Sequence, residues 1–210
     1  MCGITGWVSF RRNLRYERPT VRAMTETMSC RGPDDEGIWI GQHVALGHRR
    51  LAVIDPPGGR QPMTVDTGNG EVAIVYSGEA YNYTELRAEL GRRGHRFRTD
   101  SDTEVVLHAY LEWGAALASR LNGMYAFAIW DSRQNRLIMV RDRMGIKPFY
   151  YYEIMDGVLF GSEPKPSWPT RSPSRWSPWT ACGSCSRSAR RPGTPCGTGC
   201  ARSSRARSSP

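Results

Sequence analysis

The chain opens MCGITGWVSF (residues 1–10). A small residue follows the initiator methionine. Removal of Met1 would leave Cys2 as the N-terminal residue, with a thiol nucleophile and a free α-amino base together. Reference values near ~8 for an α-amine and ~8.5 for a thiol allow the amine to take the thiol proton at neutral pH. Read without that chemistry, residue 2 is an incidental cysteine. Ile4 to Phe10 carries a short strand pattern with Gly6 inside it.

Outward from that strand the first 163 residues alternate strand and helix. Pro19 to Ser29 reads as a helix, with Pro19 in its first turn and Val21, Met24 and Met28 on one face. RGPDDEG (31–37) is a loop. Strands follow at Ile38–Ile40, Val44–Gly47 and Leu51–Ile54, the last broken by PPGG. VAIVY (72–76) is a buried strand running into SGEAYN. Tyr83–Arg93 is an amphipathic helix capped by Asn82 or Thr84. Asp102–Trp113 is a second helix, its first carboxylate favoured by the helix dipole. Leu117–Leu121 continues as helix. Met124–Asp131 with Arg136–Asp142, and Pro148–Ile154 with Val158–Gly161, read as hairpins. His48, His95 and His108 lack metal-ligand spacing and are assigned structural roles, and Cys30 that of a small buried thiol.

The 210 residues carry a net charge of +9, and all of it lies at one end. Residues 164–210 hold nine of the 29 Lys+Arg and none of the 20 Asp+Glu, with eight of the 14 Pro and four of the six Cys. The basic balance therefore says nothing about the body, and nucleic acid is not an expected partner of it. No apolar stretch is long enough to span a membrane. No signal-peptide pattern opens the chain, so a cytoplasmic location is expected.

The segment after Lys165 lacks Ile, Leu, Val, Phe and Met and has neither helical nor strand period. Such a composition cannot build a core, and 166–210 is expected to be disordered. It could be a basic arm for nucleic acid, or a metal knuckle of Cys182, Cys185, Cys196 and Cys200. A third account is a shifted reading frame. GCC ATC CTG GCC AAC CCG CTC encodes Ala-Ile-Leu-Ala-Asn-Pro-Leu; without its first base it reads Pro-Ser-Trp-Pro-Thr-Arg-Ser. The chain has PSWPTRS at 166–172. On this account the tail residues carry no function, and the folded domain is 1–165, lacking its last strands.

Eight stretches of the body belong together: CGITG (2–6), RGPDDEG (31–37), GHRRLAVID (47–55), YSGEAYNYTELR (76–87), TDSDTEV (99–105), LNGMYAFAIWD (121–131), RDRMGIKPFYY (141–151) and FGSE (160–163). In this order they resemble the class II glutamine amidotransferase domain of glutamine-hydrolysing asparagine synthetases. The resemblance implies an α+β fold: the N-terminal-nucleophile hydrolase sandwich, four layers α/β/β/α around two antiparallel sheets. It implies L-glutamine as substrate, hydrolysed to glutamate and ammonia without a cofactor or metal. A separate synthetase domain, missing from this chain, would use ATP and Mg to join the ammonia to aspartate.

By the same resemblance Cys2 is the nucleophile. Gly78 (backbone N–H) and Ser77 stand where the family holds its oxyanion donors, with serine in place of the family's asparagine. Arg50 matches the residue that binds the substrate α-carboxylate, and Glu79 and Asp102 those that bind its α-ammonium. Backbone around Leu51, Val53 and Ile54 lines the same pocket. Arg31 and Asp34 are expected to organise the loop beneath the site, Arg49 to be solvated, and RDRMGIKP to form a structural hairpin with Asp142 balancing its charge. The alternatives are an inactive fragment or a basic-tailed nucleic-acid-binding protein.

Overall fold

The computed structural model describes residues 1–55, 57–164, 177–178 and 187–189. Its elements are β1 (Gly3–Ser9), α1 (Arg18–Glu26), β2 (Asp35–Ile40), β3 (Val44–Arg50), β4 (Met63–Asp66), β5 (Glu71–Ala80), α2 (Tyr83–Arg92), α3 (Asp102–Trp113), α4 (Leu117–Arg120), β6 (Gly123–Asp131), β7 (Arg136–Arg141), β8 (Tyr150–Ile154), β9 (Gly157–Gly161), β10 (Ser177–Pro178) and β11 (Arg187–Ala189). One sheet runs β10-β8-β9-β1-β3-β2 and the other β11-β7-β6-β5-β4. Every pairing is antiparallel.

Strand alternation builds the layers. Ile4 and Val8 of β1, Val44 and Leu46 of β3, Ala73 and Val75 of β5 and Ala126 and Ala128 of β6 meet in the core between the sheets. Trp7 and Ala45, on the opposite face of β1 and β3, pack under Val21 and Met24 of α1. Val72, Ile74 and Tyr76 of β5 pack against Leu86 and Leu90 of α2 and Val105, Val106 and Ala109 of α3. The order is thus α1, sheet, sheet, α2 with α3: the four-layer α/β/β/α arrangement. Gly6 has a packing reason, since the ring of Phe160 lies where its Cβ would stand.

Several local expectations change. β4 is not among the strands expected from the sequence; among the described residues it pairs with β5. Leu51–Ile54 is not a strand. β3 stops at Arg50 because the next backbone groups have other partners: Leu51 N–H meets the Cys2 thiol and Ala52 N–H the Asp34 carboxylate. β5 does not end at Tyr76 but continues to Ala80, so Ser77, Gly78 and Glu79 are strand residues paired with Ala126, Tyr125 and Met124. Asn82 makes no side-chain cap; its amide instead bonds Arg120 O and Asn122 N. The cap of α3 is Ser101, whose hydroxyl accepts from Thr103 N. Cys30 is exposed, not buried. Arg49 is not solvated; it donates to Gly32 O and pairs with Glu36 at 2.8 Å.

The tail is described only at β10, which pairs with β8, and β11, which pairs with β7. The disorder expected for the rest of 166–210, and the four tail cysteines, lie outside the described residues. Among the described residues no helix is long and apolar enough to cross a membrane.

Candidate active site

A cavity of about 260 Å³ opens at the start of β1 and the end of β3. Its wall includes all nine residues expected from the sequence: Cys2, Arg50, Leu51, Val53, Ile54, Ser77, Gly78, Glu79 and Asp102. They come from four segments separated by up to a hundred residues. β1 and β3 are adjacent strands of one sheet, with Gly3 opposite Arg49. β5 belongs to the other, and α3 brings Asp102 to its edge.

Cys2 is fastened through both thiol and main chain. Leu51 N–H donates to its sulfur at 3.4 Å, and the thiol lies 3.5 Å from Leu51 O. Its carbonyl oxygen accepts from Arg31 Nε at 3.2 Å and from the Ser77 hydroxyl at 3.0 Å. Arg31 is in turn paired with Glu163, and Asp34 holds Ala52 N. Arg31 thus holds the Cys2 main chain, and Asp34 holds the start of the 51–55 loop.

Ser77 departs from the role of free donor. It is buried, and its single hydroxyl hydrogen goes to Cys2 O. The Gly78 backbone carries a φ of +157°, and a Cβ there would collide with Met124 O and the Tyr125 backbone. Only glycine lets the strand pass so close to its neighbour.

Arg50 is 6% exposed, and its Nη2 donates to Asp55 O at 2.8 Å and Ile54 O at 3.4 Å. The guanidinium thus shapes the 51–55 loop as well as bordering the cavity. Asp55 extends the brace: its carboxylate accepts from Gly58 N and Asp100 N, joining the loop to the approach to α3.

Asp102 is 4% exposed and accepts from Ala80 N at 3.0 Å. Burial holds its carboxyl above the usual aspartate range, opposed by the Ala80 hydrogen bond. Tyr76 stands beside it. Burial and the Asp102 charge raise the Tyr76 hydroxyl well above its ordinary value, and no partner meets it at hydrogen-bond geometry among the described residues. A buried carboxylate, Glu79 beside it, and Arg50 on the same cavity provide complementary ends for an amino acid's ammonium and carboxylate.

The cavity also includes residues the sequence reading did not select: Tyr76, Gln61, Ser101, Thr103 and Lys147 among them. Gln61 accepts from Tyr76 N and donates to Thr103 Oγ1, a connection no local pattern marks. Lys147 lay in RDRMGIKP, read as a structural hairpin; Asp142 there is buried and accepts from Tyr125, Ile146 and Lys147 N–H groups. His48 bridges the sheets through Tyr76 O. His95 and His108 meet each other at 2.9 Å on the α2–α3 side and do not border the cavity. Among the described residues no three His, Cys, Asp or Glu side chains gather as metal ligands.

A sandwich of this architecture with a cysteine at the head of its first strand defines the N-terminal-nucleophile class of amidotransferase folds. Residues 1–175 match the glutamine amidotransferase domain, and the chain belongs to that family. It is 52% identical over 165 residues to asparagine synthetase [glutamine-hydrolyzing] 3 of Bacillus subtilis, covering 79% of this chain and 27% of the relative. To asparagine synthetase [glutamine-hydrolyzing] 1 of the same organism it is 42% identical over 168 residues, covering 79% and 26%. The chain thus spans about a quarter of the length of these relatives. Among solved structures it resembles a glutamine phosphoribosylpyrophosphate amidotransferase from B. subtilis complexed with ADP and GMP. The TM-score is 0.61 at 22% identity, over 77% of this chain and 42% of the other. That likeness speaks to the fold.

Proposed function

We propose that this chain is the glutamine-hydrolysing half of an asparagine synthetase. The observation that carries the reading is the convergence of Cys2, Arg50, Ser77, Gly78, Glu79 and Asp102 on one cavity. Identity to glutamine-hydrolysing asparagine synthetases supports the choice of glutamine.

In this reading Met1 is removed and Cys2 carries the free amine. Arg50 orients the glutamine carboxylate, and Glu79 with Asp102 its ammonium. The amine accepts the thiol proton as Cys2 Sγ bonds to the side-chain amide carbon. The amide oxygen takes the negative charge and is met by the Gly78 N–H. Collapse of the tetrahedral adduct breaks the C–N bond, and the amine's proton leaves with ammonia. Water then attacks the thioester, releasing glutamate and restoring the thiol. No cofactor enters these steps. ATP and Mg belong to a synthetase domain outside this chain, where ammonia would be joined to aspartate. The cytoplasm is the compartment proposed, since it keeps the Cys2 thiol reduced.

The domain is assigned to 1–165 and the tail to a shifted frame. Composition supports this, as does the match of a curated relative over 165 residues; against it stand the family match to residue 175 and the pairing of β10 and β11 with β8 and β7. Sequencing the gene across codons 160–175 tests it; an added base restoring Ala-Ile-Leu-Ala after Lys165 is the expected result.

The activity is tested by glutamine-dependent ammonia release from the full chain, with its N-terminus checked by mass spectrometry. Release that disappears in Cys2→Ala and in Met1-retaining protein is expected. Release that persists in Cys2→Ala would overturn the mechanism.

A further inference from the structure

Lys147 has an unusual environment. It is 7% exposed, yet among the described residues its ammonium meets only the thioether of Met1, at 3.3 Å. No carboxylate lies within ion-pair distance of it among the described residues. Buried ammonium groups are ordinarily paired, and a thioether is a weak acceptor.

Its position is fixed through the main chain. Lys147 N donates to Asp142 Oδ2 at 3.0 Å, and Lys147 O accepts from Arg141 Nε at 2.6 Å. The same Asp142 oxygen accepts from Tyr125 N, and Tyr125 is the strand partner of Gly78. Lys147 is therefore tied to the Gly78 wall, and both it and Met1 border the cavity. Covalent reach from Met1 Sδ places the ammonium within about 10 Å of the Cys2 nitrogen.

Four of the other charges near Cys2 have partners of their own. Arg50 Nη2 serves the Ile54 and Asp55 carbonyls, and Arg31 pairs with Glu163. Asp102 accepts from Ala80 N, and Asp142 from three N–H groups of its own wall. Glu79 borders the cavity as the remaining acid.

We propose that Met1 caps Lys147 in the unprocessed chain, and that its removal frees the Lys147 ammonium to act as a positioning residue that stabilises the Cys2 thiolate. Loss of Met1 then does two things: it creates the α-amine and it turns a buried cation toward the nucleophile. With the Ser77 hydrogen committed to Cys2 O, Lys147 is a cation bordering the cavity on the Gly78 side, where Glu79 is the acid. The inference rests on Cys2 being the nucleophile of the proposed reaction.

The test follows alkylation of Cys2 by iodoacetamide across pH in the full, Met1-processed chain, resolved by peptide mass spectrometry. Exposed Cys30 serves as internal reference. In Lys147→Met the Cys2 rate at pH 7 is expected to fall about tenfold, its half-maximal pH moving upward by about one pH unit, with Cys30 unchanged. Lys147→Arg is expected to stay within about twofold of the parent, because it keeps the charge. Superimposable Cys2 profiles for the parent and Lys147→Met overturn the proposal. Should Lys147→Met not fold by circular dichroism, salt decides on the parent protein. A Cys2 rate that falls with ionic strength more steeply than that of Cys30 supports the proposal, and equal slopes overturn it. A Lys147-dependent Cys2 reactivity in a protein that releases no ammonia keeps this inference and removes the glutaminase reading.

Discussion

Ser77 donates its hydroxyl hydrogen to the main-chain carbonyl of Cys2, 3.0 Å away across 75 residues of sequence. A hydroxyl has one hydrogen, so the same group cannot also serve an oxyanion while that bond holds. The bond fixes the Cys2 backbone, and in the proposed reaction it leaves Gly78 N–H as the oxyanion donor on that strand.

Ser77→Ala is therefore expected to lower kcat by less than about tenfold, the effect of a loosened Cys2. Ser77→Asn, which restores an amide donor, is expected to raise kcat toward the roughly 100-fold that one oxyanion donor can supply. Steady-state ammonia release measures both. A hundredfold loss in Ser77→Ala would show that the hydroxyl turns to the oxyanion during the reaction.

Asp102 is held above its ordinary range chiefly by burial. A carboxyl raised in the folded state favours folding below its unfolded value, and that contribution is lost as pH rises through the folded value. At neutral pH the charged form thus weighs against the fold. Asp102→Asn keeps an acceptor for Ala80 N and removes the charge. It is expected to raise the urea midpoint at pH 7 while raising the KM for glutamine about 10- to 100-fold, the loss of a charged hydrogen bond to the ammonium. A lowered midpoint would contradict the account.

His48 is fully buried, and burial lowers its pKa to about 4. Its Nε2 faces Tyr76 O and so donates, while Nδ1 has no partner among the described residues. Below about 6.5 the unfolded chain takes a proton that the folded one refuses, so stability falls with acidity until about pH 4. Between pH 7 and 5 the expected loss is about 2 kcal/mol. His48→Gln can still donate to Tyr76 O and should lack this component of the acid loss. Urea titrations at the two pH values compare them.

Gly78→Ala places a methyl group against the Met124 carbonyl and the Tyr125 backbone. The strand must shift or its pairing open, at a cost of about 2 kcal/mol or more. Urea unfolding reads the cost directly, and a midpoint equal to the parent's would mean that β5 and β6 can separate freely at this point.

Much of the framework lay in the sequence. Period-2 and helical patterns depend on near neighbours, so β1, β6, β7, β9 and α3 were legible to within a residue or two. Nine residues of the cavity wall came through from Cys2, the GHRRLAVID segment, the SGE segment and Asp102 by the resemblance those motifs carry, whereas Tyr76, Gln61, Ser101, Thr103 and Lys147 did not. The split of charge between body and tail was also plain from composition.

What only the tertiary structure decided is where each polar group spends its hydrogen bonds. Leu51–Ile54 looked like a strand until Cys2, Asp34 and Arg50 claimed its surroundings. The dipole accounts for Asp102 in the first turn of its helix, but not for its reach to Ala80 N or for the cap made by Ser101. Cys30, Arg49 and Lys147 each met surroundings that their neighbours in sequence do not specify. The physical reason is range: side-chain periodicity is a local property, whereas burial, charge pairing and hydrogen-bond partners are set by strands that meet only when the two sheets stack.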